Sequence, residues 1–396
     1  MTAPRASDAG SPGSIARKTW AHRTCQPEFT YRRLRRVAER VGITRVADIT
    51  DLDRVGLPVF QAVRPMGRSL SVSQGKGMTS MAARVSAMME AVEIWHAEQD
   101  LPTTLRATIR SLGTRRAMDP NQLLMPGRDK VCEDLPIVWC PSLNLLDGAD
   151  VLVPRDAANL DFTRAPDPPM LARSTTGLAG GNTRDEARAS AIAEVIERAC
   201  QREFQRLPPA SRAQRRLDPT CLASAHRGLA DPIERIRSAG LHLDIFDMTN
   251  RFDVPAIRAV IYETTAGKPV AWPCLGHGAH LDPVTAVVRA LTEAAQARLT
   301  GISGNRDDIS PGHYAGADMS NWVLRAMNGM DMSGTRRGLR HHDASGDSPA
   351  ADVAAMIARI TAHDADPLLE VDLSRPEIGV PVVKIIAPRI AYLASR

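Results

Sequence analysis

The sequence predicts an α/β chain of mixed sheets, built on three internally related strand–turn–helix units. Two observations predict it. Short β-like runs alternate with helical periodicity along most of the chain, which argues against segregated strand and helix halves. One helical segment also recurs three times: ARVSAMMEAVE from Ala83, ARASAIAEVIE from Ala187 and AVVRALTEAAQ from Ala286. The copies lie 104 and then 99 residues apart, the spacing of large structural units rather than of solenoid repeats.

Composition frames the reading. A chain of 396 residues is expected to form one large domain or two intimately packed ones. With 43% hydrophobic and 24% charged residues it can bury an ordinary soluble core. A net charge of +5 is mild for this length, so no nucleic-acid partner is expected. Six cysteines occur without a C-x-x-C pair or a nearby histidine at zinc spacing. That excludes a disulfide framework or zinc site and fits a reducing, cytoplasmic setting. No apolar signal core opens the chain, and no run approaches the roughly 18 apolar residues of a spanning helix, so no membrane is expected.

In chain order, residues 1–16 are rich in Gly, Pro, Ser and Ala and are expected to be a disordered tail. An N-terminal helical segment follows over 17–60. In it Leu34, Val37 and Val41 fall at helical spacing within a basic stretch, YRRLRRVAER, that ends at Gly42. Its arginines read as a solvated face. The main domain, 61–396, begins with the β-like runs VFQAV and SLSVS. Further strands are predicted at Pro136–Trp139, Val151–Val153, Leu241–Asp247, Ala256–Tyr262 and Val380–Ile386, with a helix from Thr183 onward. Arg206–Asp218 and Ser303–Pro349 read as loops, the second (303–349) long enough to be a lid or insertion.

The repeated helix carries the chemistry. Its matched triplets are Ser86/Glu90/Glu93, Ser190/Glu194/Glu197 and Arg289/Glu293/Gln296, each behind a stretch read as a glycine-rich turn: Gly75-Lys76-Gly77, Gly180-Gly181-Asn182 and Gly276-His277-Gly278. At about 100° per residue, positions i, i+4 and i+7 stay within roughly 60° of one another, so each triplet shares a helix face. Glu186 points the same way from the second copy. If the faces converge, Glu90, Glu93, Glu186, Glu194 and Glu197 meet, and five unpaired carboxylates would repel unless cations sit among them. Oxygen ligands completed by waters and phosphates suit magnesium. Lys76 and Asn182 lie where a helix N-terminus receives an anion. Arg198 and Arg289 supply positive charge for phosphate oxygens or a charged transition state. Any one copy alone would read as a solvated helix; three in register do not. His277 and His280 read as polar loop residues, and Cys200 as a small buried one. No Walker A motif, GxGxxG opening or kinase signature is present.

At these residues the sequence resembles the YcaO family. The segments SVSQGKGMTSMAARVSAMMEAVE, TTGLAGGNTRDEARASAIAEVIER, RALTEAAQARLTGISGNRDD and DLSRPEIGVPVVKI carry the resemblance over about Arg45 to Pro388. It implies a YcaO-like fold and an ATP site in which Glu90, Glu93, Glu186, Glu194 and Glu197 bind Mg2+. Lys76, Ser86, Asn182, Arg198, Arg289 and Gln296 would contact the nucleotide, with Arg198 and Arg289 also catalytic. It implies ATP-dependent phosphorylation of a peptide amide oxygen, giving a thioamide or an azoline. The substrate would be a ribosomally made precursor peptide or a protein. Azoline-forming members tend to end in Pro-x-Pro-x-Pro, whereas IIAPRIAYLASR holds Pro388 alone, so the resemblance is to members acting with a TfuA-like partner for sulfur delivery or leader binding. A homodimer is a further expected assembly. Two other readings stay open: a non-catalytic scaffold of the same fold, and a metal-dependent phosphohydrolase.

Overall fold

The structure, a computed structural model, describes residues 22–101, 104–113, 115–265, 268–269, 273–304, 338–363 and 367–392. The predicted disordered tail and most of the 303–349 insertion lie outside them. Three antiparallel sheets organise the chain. The first holds β1 (Arg45–Asp48), β2 (Val59–Val63) and β3 (Val72–Lys76) in that order. The second joins β4 (Leu105–Ala107), β5 (Ile137–Asn144), β6 (Asp150–Pro154) and β7 (Leu178–Gly180) to the late strands β14 (Leu369–Asp372) and β15 (Val382–Ile386), in the order β4-β5-β14-β15-β7 with β6 beside β5. The third contains β8 (Arg216–Leu217), β9 (His242–Asp247), β10 (Ala256–Tyr262) and β13 (Cys274–Ala279), in the order β13-β10-β9-β8. The small ribbon β11 (Thr264–Thr265) and β12 (Lys268–Pro269) extends β10.

Helix α1 (Pro27–Val37) precedes the first sheet. The repeated segments form α2 (Ser80–Ala97), α3 (Arg184–Arg206) and, after α4 (Arg227–Ser238), α5 (Pro283–Ser303); α6 (Pro349–Thr361) packs on α3. Each repeated helix starts on a capping side chain. Thr79 accepts from the Ala82 N–H at 3.2 Å, Thr183 from the Glu186 N–H at 3.2 Å, and Asp282 from the Thr285 N–H at 3.0 Å. The cap belongs to the repeat as much as the acidic triplet does.

The units close a ring. Helix α2 packs on β2 and β3 of its own sheet and on β7 of the second. Helix α3 packs on β7 and β15 and also on β10 and β13 of the third, while α5 packs on β10 and β13 and returns to β2 and β3. Each helix therefore buries two sides, which is why apolar residues flank the acidic face on both sides: Ala83, Ala87 and Met88 on α2, Ile192, Val195 and Ile196 on α3, Val287, Ala290 and Leu291 on α5.

Four of the six glycines before the repeated helices are strand residues, not turn residues. Gly75, Gly180, Gly276 and Gly278 lie within strands, and their role is smallness. A Cβ on Gly75 would stand 1.9 Å from the Ala87 nitrogen, and one on Gly276 2.1 Å from the Ala290 oxygen. Strand and helix backbones touch where glycine faces alanine, which brings the strand's N–H groups within reach of the helix's carboxylates. Sequence periodicity also missed β8 and a short helix, Pro209–Ala213, inside the predicted loop Arg206–Asp218. The expected boundary at residue 60 runs through β2, which pairs with β3.

Candidate active site

One relationship repeats in all three units. The first glutamate of each triplet accepts a backbone N–H from the strand segment before its helix. Gln74 donates to Glu90 at 3.0 Å, Gly177 to Glu194 at 3.0 Å and His277 to Glu293 at 3.3 Å. Three carboxylates are thereby aimed inward from three sides.

The second glutamates lie between units. Glu93 on α2 accepts the Gly180 N–H of β7 at 2.6 Å. Burial pushes its carboxyl up to about 7; the Gly180 bond opposes this, and the Glu90 and Glu194 charges add to it. Glu197 on α3 is likewise pushed up to about 7 by burial and by Glu293, against the pull of Arg198. Glu90, Glu93, Glu194 and Glu197 are thus brought together, and Glu293 joins them.

Cations border the group. Lys76 donates to Glu293 across the first and third units. Despite burial, Lys76 and His277 hold Glu293 well below the ordinary carboxylate range. Arg198 donates to Glu194 at 3.3 Å and to Gln201 at 3.1 Å, and stands 3.8 Å from Glu197. Although burial opposes it, the charges of Glu197, Glu194 and Glu293 hold the Arg198 guanidinium above its usual value.

Glu186 occupies an adjoining pocket with Arg23, Ser190, His280, Arg289 and Asp352. It accepts the Asn182 N–H at 2.5 Å and also the Thr24 N–H. Arg289 donates to the Ala279 carbonyl at 3.0 Å, and burial, reinforced by Arg23, pushes it down to about 10. The Asn182 amide is turned to α1, where its oxygen accepts from the Thr30 hydroxyl at 2.9 Å. Ser86 and Gln296 are half-buried, and among the described residues neither side chain makes a hydrogen bond. His22, His280 and Asp352 place ligand atoms within 4.8 Å of one another. His280 Nδ1 accepts from the Asp282 N–H at 2.9 Å, so its neutral ring carries the proton on Nε2.

Two residues escaped the sequence reading. Glu293 was seen only as the centre of a triplet marked by Arg289 and Gln296. Lys384 comes from β15, at the far end of the chain; it is 1% exposed and donates to the Thr176 carbonyl at 2.7 Å and to that of Ser174. Burial pushes it down to about 7, with Glu194 pulling the other way. A lone lysine inside VVKII was the available signal. His277 is not a loop residue but lies within β13, 7% exposed, whereas His280 follows that strand in the loop, as read, and is 8% exposed.

The donor set fits divalent cations and a polyphosphate. Glu93 and Glu197 are buried beside other carboxylates whose charges add to the upward push, and carboxylate oxygens are what Mg2+ takes. Among the described residues no helix is long and apolar enough to cross a membrane.

Comparison with known proteins agrees. The model of the family described as "YcaO cyclodehydratase, ATP- and Mg2+-binding" matches residues 74–391. An uncharacterized protein in the tfuA 3′ region of Rhizobium leguminosarum bv. trifolii is 35% identical over 374 residues, 92% of this chain and 88% of that protein. The structure of YcaO from Methanopyrus kandleri bound with AMPPCP and Mg2+ superposes with a TM-score of 0.72 at 23% identity, covering 94% of this chain and 93% of that one. A heterocyclase in complex with substrate and cofactor gives 0.76 at 24% identity; 93% of this chain is covered, and it spans about half (52%) of that chain. The chain belongs to the YcaO family of ATP- and Mg2+-binding cyclodehydratases.

Proposed function

We propose that this protein uses ATP to phosphorylate a backbone amide oxygen of a peptide, and that an external sulfide makes the product a thioamide. The observation that carries the first part is the convergence of Glu90, Glu93, Glu194 and Glu197, with Glu93 and Glu197 buried beside further carboxylates. Those four carboxylates would hold Mg2+, with Glu186 at the edge of the set. The second part rests on the 35% identical relative, which is encoded in a tfuA 3′ region. A TfuA-like protein is accordingly the proposed partner.

An amide is a poor electrophile whose oxygen is a poor leaving group. Bound ATP with Mg2+ supplies a phosphoryl group that makes that oxygen expendable. In the balanced reaction hydrosulfide adds to the amide carbon, and the resulting oxyanion takes the γ-phosphoryl group with release of ADP. The C–O bond then breaks as phosphate leaves, and loss of a proton restores the thioamide. The chain's own groups position and neutralise. Arg198, tied to Glu194 and Gln201, and Arg289, in the adjoining pocket, would stabilise charge on the transferring group. Lys76, Ser86, Asn182 and Gln296 would border the nucleotide. No nucleophilic side chain is needed.

The test is incubation of purified protein with ATP, Mg2+, sulfide and a candidate peptide. The expected outcome is peptide-dependent release of ADP and phosphate, lost in Glu194→Ala, and a peptide mass change that replaces oxygen by sulfur. Loss of one water instead would assign azoline formation. Peptide-independent hydrolysis would favour a phosphohydrolase, and failure to bind ATP with Mg2+ a scaffold.

A further inference from the structure

Behind Glu293 lies a buried pair, of which the site as described uses only His277 and leaves Arg258 without a part. Arg258 on β10 and His277 on β13 are direct partners across the sheet. They are 6% and 7% exposed. Arg258 Nε donates to His277 Nε2 at 3.2 Å. Its guanidinium lies 5.0 Å from the centre of the Phe204 ring, its Nη2 has no hydrogen-bond partner, and no carboxylate pairs with it among the described residues. A buried cation without a counter-ion is costly, and an apolar side chain of similar volume is often at least as stable in such a place. Packing alone therefore gives a weak reason for arginine here.

We propose that Arg258 is a positioning residue that fixes the tautomer of His277 and, through it, the carboxylate of Glu293 at the centre of the site. An arginine nitrogen can only donate, so His277 Nε2 must present its lone pair to Arg258. In the neutral ring the proton then sits on Nδ1, which faces Glu293 Oε1 at 3.7 Å. Burial keeps this histidine neutral, because it depresses the ring below its usual value. Glu293 thus meets the Nδ1–H edge and the backbone N–H of His277 on one side and Lys76 on the other. With the opposite tautomer, a nitrogen lone pair would face the carboxylate and turn it from Lys76. Partners one layer behind a reacting site act in this way on the groups they orient.

The role in turnover rests on the function proposed above; the tautomer does not, and the two are separable. Nitrogen-15 NMR of the histidine-labelled full-length protein reads the tautomer directly, with the His277 signals assigned by their absence in His277→Asn. The Nδ1–H form is expected in the wild type, and a mixture of tautomers in Arg258→Met. Peptide-dependent ADP release in Arg258→Met is expected to fall roughly ten-fold through kcat, with the melting temperature kept. An Nε2–H form in the wild type overturns the proposal, as does an Arg258→Met protein whose tautomer and kcat are unchanged. Should Arg258→Met not fold, the wild-type spectrum still decides. If the wild type releases no ADP with any peptide while Nδ1–H is found, the proposed reaction fails and the positioning of Glu293 stands.

Discussion

Glu93 Oε1 on α2 accepts the N–H of Gly180 on β7 at 2.6 Å, so a carboxylate of the first unit is held by the backbone of the second. The same carboxylate stands near Glu90 and Glu194 and is pushed up to about 7 by burial and by their charge. It is both a seam between units and a point of stored repulsion.

Glu93→Gln keeps an acceptor for Gly180 and removes the charge. Below pH 4.5, Glu93 is protonated in folded and unfolded chains alike, so the variant and wild type should melt together. As pH rises from 4.5 to 7, the unfolded wild type gives up this proton while the folded chain holds it, so stability falls until, above 7, the full cost of a buried charge is reached. The variant should then be more stable by about 1–3 kcal/mol. Mg2+ with a non-hydrolysable nucleotide should close the gap by stabilising wild type alone. Melting curves across pH 4.5–8 read both effects; equal curves at pH 8 would count against a repulsive cluster.

Binding should release protons. Glu93 and Glu197 are both held up to about 7, so near pH 6 each carries a proton that a bound cation must displace. Titration calorimetry with Mg2+ and a nucleotide analogue, repeated in two buffers of different ionisation enthalpy, should show net proton release at pH 6. Little release is expected at pH 8, and the apparent affinity should rise between the two.

Gly276→Ala should cost about 3 kcal/mol or more, because the new Cβ would meet backbone, 2.1 Å from the Ala290 oxygen and 2.2 Å from the Ala294 nitrogen. Gly301→Ala, in the last turn of the same helix with nothing within 4 Å of its Cβ, should stabilise by about 0.5–1 kcal/mol. Denaturant melts of the pair separate close approach from simple flexibility.

Lys384→Met should disturb the site from behind. Its amine holds the Ser174 and Thr176 carbonyls, and the next residue, Gly177, gives its N–H to Glu194. Faster hydrogen exchange over residues 174–178 is expected, together with nucleotide affinity lowered roughly ten-fold. Unchanged exchange would assign the lysine a role in packing alone.

Much of this was legible in the sequence because repetition exposes it. The triplets Ser86/Glu90/Glu93 and Ser190/Glu194/Glu197 announce a shared face, and helical geometry requires the face to be polar between two buried sides. Thr183 marked a helix start, and β10 fell where Ala256–Tyr262 was read. The strand glycines were misread because turn chemistry and close backbone contact favour the same residue, and only packing tells them apart. Lys384, Arg258 and His277 were illegible as site residues. Their parts depend on long-range neighbours: Lys384 lies more than 200 residues from the carbonyls it holds. β8 is two residues long and exists only because β9 is beside it.

The closed ring also sets a timetable for the newborn chain. Lys76 emerges from the ribosome 217 residues ahead of its partner Glu293, so the first unit waits, its lysine unpaired and one flank of its sheet uncovered, until the third has been made. Contacts spanning such separations form late and slowly. A half-made chain accordingly has no assembled nucleotide site, and the cluster is complete only once the third repeated helix, α5, docks against the first sheet.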